Sequence, residues 1–150
     1  ELSEEGPDEH LSWEQRLKDM SVGHRIKMAY RGNKQVRSIL IRDTNKSVSV
    51  AVVRSGRLSD GEIAHYAGNR NLGDDVIREI SSNSEFLRKY PVKLALVGNP
   101  KTPTKKALAI IPFLHKKDLQ QLCRNKNVPA PIRRRASKFF SEKFGGGSRR

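Results

Sequence analysis

The residue types that carry acid–base, metal or nucleophilic chemistry are few in this chain, and they are scattered. The four histidines stand at positions 10, 24, 65 and 115. No two have the His-x-x-x-His spacing that puts two imidazoles on one helix face for a metal. His65 falls within an amphipathic stretch and reads as a surface or boundary residue. Cys123 is the only cysteine, which excludes an internal disulfide, a cysteine-rich zinc site and a cysteine-ligated iron–sulfur cluster. It lies at helical spacing with Leu119 and Leu122 and reads as a buried, inert thiol. The adjacent carboxylates Asp74 and Asp75 would suit a metal pair, but negative charge is also what a helix start favours. Asp60 and Glu62 are accounted for by capping. Gly32-Asn33-Lys34 and Gly98-Asn99-Pro100-Lys101 are helix terminators and not a phosphate loop. With no catalytic constellation, the expectation is a protein that is not an enzyme and needs no cofactor or metal.

The basic residues carry the stronger signal. Thirty Lys and Arg face sixteen Asp and Glu, a net charge of +14. Six of the acids lie in the first fourteen residues, which contain no Lys or Arg, so residues 15–150 carry +20. A folded chain with that excess repels itself, and a polyanionic partner relieves the repulsion. The candidate nucleic-acid-binding residues are Arg133, Arg134, Arg135 and Lys138 near the C-terminus, and Lys101, Lys105, Lys106, Lys116, Lys117, Arg124 and Lys126 before them. Phe and Tyr are expected mostly at core positions, leaving few rings for base stacking. Duplex or structured nucleic acid, held by its phosphates with low sequence specificity, is therefore the expected partner. The alternative is a protein-interaction scaffold that binds an acidic partner segment. The acidic residues 1–14 would also be able to mask the basic surface from within the chain.

The elements that position these residues read as short helices with tight punctuation. Ser12 with Gln15 and Ser59 with Glu62 form capping boxes. Ser21, Asn33 and Asn45 are further helix starts, and Gly32 and Gly98 are stops. KSVSVAVVRS would suit a strand by its valines, yet it follows the same Asn punctuation as its neighbours and is expected to be helical. A turn is expected around 85–90, then a helix opened by Pro91, one with Thr102-Pro103 as cap and first turn, one over 116–124 and a last one over 128–144. Trp13 is expected to staple the first helix to the core.

Three stretches share one form: Asn69-Arg70-Asn71-Leu72-Gly73, Asn99-Pro100-Lys101-Thr102-Pro103 and Asn125-Lys126-Asn127-Val128-Pro129. Each has Asn, two polar residues or proline, a variable position, then Gly or Pro, at intervals of 30 and 26 residues. Spacing of that order belongs to helical-repeat units, which bury their apolar faces only by stacking. In such a stack the basic turn residues Arg31, Lys34, Arg42, Lys46, Arg54, Arg57, Arg70, Lys101 and Lys126 would line one edge. The segment VKLALVGNPKTPTKKALAIIPFL, with its Asn-Pro-Lys-Thr-Pro turn, resembles the variant leucine-rich repeat found in bacterial helical-repeat proteins, with HEAT-like repeats as neighbours. That resemblance implies an all-α fold: a right-handed superhelical solenoid of short helical repeats. Some variant-repeat proteins carry an iron–sulfur cluster, for which the cysteines are missing here. A HEAT-like DNA glycosylase would need an acid and aromatic rings in a basic cleft, which this sequence does not offer.

The domain plan is an acidic, disordered tail over 1–10, a helical-repeat domain over 11–144 and a flexible basic tail over 145–150. The chain starts at Glu1 and not at methionine, which reads as a fragment, a processed form or a trimmed one. No apolar run reaches the roughly eighteen residues of a membrane span. The lone cysteine suits a reducing cytoplasm, and the expected location is cytoplasmic.

Overall fold

Capping fixes where most of these helices begin. In the computed structural model, which describes residues 11–145, Ser12, Ser21, Asn33, Asn45, Ser59 and Asn83 each turn a side-chain oxygen onto a backbone N–H of the helix that follows. Both expected capping boxes form, Ser12 with Gln15 and Ser59 with Glu62. The expected tails over 1–10 and 145–150 lie outside the described residues, apart from Gly145. Among the described residues the chain is all-helical, with no strand.

The chain divides into two compact units between Arg57 and Leu58. The first contains α1 (Trp13–Lys18), α2 (Val22–Arg31), α3 (Lys34–Leu40) and α4 (Lys46–Arg54). Here α4 packs on α2 and α3. The valine-rich α4 is a helix despite its strand-like composition, because helical spacing buries Val48, Ala51, Val52 and Val53 together. Tertiary burial outweighs the modest propensity cost of β-branched residues. Gly32 ends α2 in extended backbone, and a Cβ there would stand 2.5 Å from Val36 Cγ1. Only glycine lets α3 turn back so closely. Gly56, with φ of 71°, makes the left-handed exit from α4. Arg25 Nε lies 2.9 Å from Asp43 Oδ2, with both side chains largely buried. Its other arm donates to the Met20 carbonyl.

The second unit contains α5 (Asp60–Ala67), α6 (Asp74–Ser81), α7 (Ser84–Leu87), α8 (Tyr90–Val97), α9 (Thr104–Ile110), α10 (Lys116–Arg124) and α11 (Ala130–Phe144). α5 packs on α8, and α11 packs on α10 and α9. The expected turn around 85–90 is instead the one-turn helix α7, because Asn83 Oδ1 accepts from both Glu85 and Phe86 N–H. Pro112 supplies no N–H to continue α9, and the chain tightens there into a 3-10 turn over Ile111–Phe113.

The three punctuation motifs fold alike. At Asn69, Asn99 and Asn125 the backbone N–H donates to the carbonyl three residues back, at 3.1, 3.1 and 3.2 Å. Each side-chain oxygen accepts from the N–H two residues on, at 2.9, 3.0 and 3.0 Å. Each Asn carbonyl then accepts from the N–H three residues on. These are Asx turns, which use Asn because its short amide reaches its own chain. The variable fourth position proves to be the buried one: Leu72, Thr102 and Val128 all enter the core. Gly73, Pro103 and Pro129 then stand as extended N-caps. Thr102 was expected to cap α9. It instead donates its hydroxyl to the Leu96 carbonyl at 2.6 Å, and Pro103 occupies the cap position.

Asn99 also reaches the preceding turn. Its Nδ2 donates to the Ala67 carbonyl at 2.8 Å, at the last residue of α5, and to the Asn69 carbonyl at 3.3 Å. The thirty-residue interval of the sequence is thus a physical contact between equivalent turns.

Candidate nucleic-acid interface

The positive charge of the second unit is concentrated in its later half. From 86 to 145 there are fifteen Lys and Arg against two acids, Asp118 and Glu142. From 58 to 85 the balance reverses, with two Arg against six acids. The concentration therefore falls on α8 to α11.

Of the eleven candidate residues, nine are exposed: Lys105, Lys106, Lys116, Lys117, Arg124, Lys126, Arg134, Arg135 and Lys138. Arg134, Arg135 and Lys138 are spaced three and four apart on α11 and so share one face. Lys101 and Arg133 behave differently. The Lys101 ammonium donates to the Leu72 carbonyl at 2.5 Å, joining its turn to the previous one, so this lysine is a structural strut. Arg133 is half-buried, with Nε inside the protein and no hydrogen-bond partner among the described residues. Of the basic turn positions within this unit, Arg70 and Lys126 stay exposed.

Little acid opposes this surface. Asp118 is committed elsewhere: its Oδ2 accepts the Tyr90 hydroxyl at 2.5 Å, and that hydroxyl accepts the His115 N–H at 3.0 Å. Together they form a relayed cap for α10, whose first residues have no side-chain cap of their own. The third helical residue, Asp118, reaches the N-cap amide through a tyrosine from α8. The Tyr90 and His115 rings stack at 3.9 Å. Burial, and then the bond to Asp118, hold the Tyr90 phenol above its ordinary value, against a smaller lowering by the His115 N–H. Lys105, Lys106, Lys117, Arg124, Lys126, Arg134, Arg135 and Lys138 form no ion pair among the described residues.

The aromatic residues correct the sequence reading. Only Tyr66 is buried among the Phe and Tyr side chains. Phe139, Phe140 and Phe144 are half-buried at the end of α11, with Lys116 5.3 Å above the Phe144 ring and Lys143 5.6 and 5.4 Å above Phe139 and Phe144. Phe113 is 63% exposed, with Lys93 4.9 Å above its ring. Cys123 is half-buried and free, not fully enclosed. Trp13 is half-buried under the Arg16 guanidinium, 4.1 Å from its centroid. The Tyr90 cap and the Phe113 groove were not found in the sequence, because their partners come from different helices.

Among the described residues no group of three His, Cys, Asp or Glu is placed to hold a metal, and no helix is long and apolar enough to cross a membrane. Comparison of the chain with protein-family models, curated proteins and solved structures finds no match.

Proposed function

We propose that this chain is a non-enzymatic, basic helical-repeat module that binds nucleic acid through phosphate contacts with low sequence specificity. The observation that carries the reading is the stretch from α8 to α11, where thirteen cations face two acids and one of those acids is tied to Tyr90. Exposed cations without carboxylate partners have no competitor for a phosphate, and their binding releases the counterions that phosphates hold. Duplex or structured nucleic acid is the preferred class, since two of the rings of α11, Phe139 and Phe144, already lie under Lys143 and Lys116. We extend the proposal to the architecture and read the second unit as a right-handed solenoid of short repeats, resembling variant leucine-rich and HEAT-like repeats. Three turns of one geometry, and the bond from Asn99 to the turn thirty residues back, favour it.

A mobility-shift and salt titration with random duplex DNA, single-stranded DNA and RNA tests the function. The duplex affinity should fall linearly in log–log form with salt, by about 0.9 per phosphate engaged. Reversing Arg134, Arg135 and Lys138 to Glu should reduce that slope by roughly 2 to 3 while far-UV circular dichroism stays unchanged. Absence of binding at about 50 mM salt, where phosphate contacts are strongest, would discard the reading.

A further inference from the structure

The apolar run 107–114 is the longest in the chain, and it is not fully buried: Ala109, Pro112 and Phe113 face outward. The 3-10 turn at Pro112 carries Phe113 out beside α7 and α8, and a groove of about 360 Å³ opens there. Leu87, Ala109, Ile110 and Phe113 supply its apolar lining. Arg88, Lys93 and Lys106 supply its charge, and no carboxylate lines it. The acid nearest to Arg88 is Glu85, at 3.6 Å, in a pair so exposed that water screens it. An apolar cleft ringed by one sign of charge selects a ligand that is apolar at its centre and of opposite charge at its margins.

We infer that this groove docks an acidic peptide segment of a partner protein through one large apolar side chain flanked by Asp or Glu. The apolar side chain would lie against Phe113 and Ile110, while the flanking carboxylates reach Arg88, Lys93 and Lys106. The volume is at the low end for ligand sites and suits an aromatic side chain or a pair of aliphatic ones. A nucleobase fits the same space less well. Apart from the Ser84 hydroxyl its polar lining is Arg88, Lys93 and Lys106, which only donate, so the N–H donors of a base edge would have one acceptor and the rest would be stranded. The groove shares Lys93 and Lys106 with the basic surface of the nucleic-acid reading, but its apolar centre at Ile110 and Phe113 has no part in that reading.

The test uses the full chain and a fluorescein-labelled peptide, Glu-Glu-Asp-Phe-Leu-Asp-Glu-Glu, read by fluorescence anisotropy. One control peptide carries Ser in place of Phe and Leu, and a twelve-nucleotide oligo(dT) tests the nucleobase alternative. The labelled peptide should bind saturably, and the Ser control should be roughly tenfold weaker. Phe113→Ala should weaken the parent peptide by a similar factor, and Lys93→Glu with Lys106→Glu should weaken it further. Phe113 is exposed, so its variant should keep the wild-type circular dichroism, and its duplex DNA affinity should stay within about twofold. Equal binding of the Ser control would overturn the proposal, as would an affinity indifferent to Phe113→Ala. So would absence of saturable binding up to 1 mM peptide, or a larger effect of Phe113→Ala on oligo(dT) than on the peptide. Loss of duplex binding in the α11 charge-reversal protein, with peptide binding retained, would separate the two functions.

Discussion

Replacing Asn99 by alanine removes three hydrogen bonds from a residue that is 3% exposed. Two of them, to the Ala67 carbonyl and from the Lys101 N–H, are short. The third, to the Asn69 carbonyl, is long at 3.3 Å. A net contribution of about 1 kcal/mol for each gives a loss of about 3 kcal/mol. The weak third bond lowers that figure, and stranding the Ala67 carbonyl at the end of α5 raises it. Asn125 offers the internal comparison. Its turn has the same geometry, but its side chain makes only the bond from Asn127 N–H among the described residues. Asn125→Ala should therefore cost about 1 kcal/mol. With a urea slope near 2 kcal/mol per molar, the midpoints of the two variants should differ by about 1 M when unfolding is followed by circular dichroism at 222 nm. Asn99→Asp keeps the acceptor for Lys101 and turns an oxygen toward the Ala67 carbonyl, so it should be at least as destabilising as alanine. Equal midpoints for the Asn99 and Asn125 variants would refute the argument, since the turn would then be all that either residue supports.

Two further perturbations probe the long-range ties. The fold favours the neutral Tyr90 phenol, so its contribution is complete below pH 10 and is lost as pH climbs through the raised folded value. Tyr90→Phe should cost about 1 kcal/mol at pH 8, and the gap between wild type and variant in urea midpoint should shrink above pH 10; a gap constant with pH would contradict the relayed cap. In the first unit, Asp43→Ala strands the Arg25 guanidinium and should cost about 2 to 3 kcal/mol by Trp13 fluorescence in urea, less than for a fully enclosed pair because both partners keep some water. The double variant Arg25→Met/Asp43→Leu should be more stable than Asp43→Ala alone, and strict additivity would argue against a coupled pair.

What the sequence made legible was whatever is decided within a few residues. Ser12 with Gln15 and Ser59 with Glu62 signal their capping boxes because both partners lie three apart. The Asn turns are equally local, so the motif at 69, 99 and 125 could be read before any packing was known. Less visible were the features that depend on which helices meet. The Tyr90 hydroxyl joins residues 25 and 28 positions away, and no spacing rule announces it. Thr102 looked like a cap because Thr often is one, but its buried hydroxyl needs a partner, and the Leu96 carbonyl at the end of α8 takes it on a second lone pair beside the Asn99 N–H. The aromatic residues misled for a similar reason: apolar character sends a ring toward a core only when the backbone can turn it inward, and Pro112 turns Phe113 out. Among the basic candidates, composition gave the excess charge but could not tell Lys101, a strut, from Lys126, which is free to solvent.

The reach of Asn99 has a consequence for how such a chain can lengthen. The oxygen and backbone of Asn99 bond within a few residues, and its amide, like the Lys101 ammonium, looks back one interval. A gene duplication of one thirty-residue interval copies the amide but not the Ala67 carbonyl 32 positions before it, so the copied amide meets the carbonyl at the end of α8, that of Val97. The new seam repeats the old one only where that carbonyl is met as Ala67 is, and Asn125, whose side chain bonds only the Asn127 N–H, marks a turn that lacks the reach. Growth by whole intervals therefore needs a back-reaching amide as well as the turn, whereas an insertion of arbitrary length between residues 67 and 99 would strand a buried carbonyl.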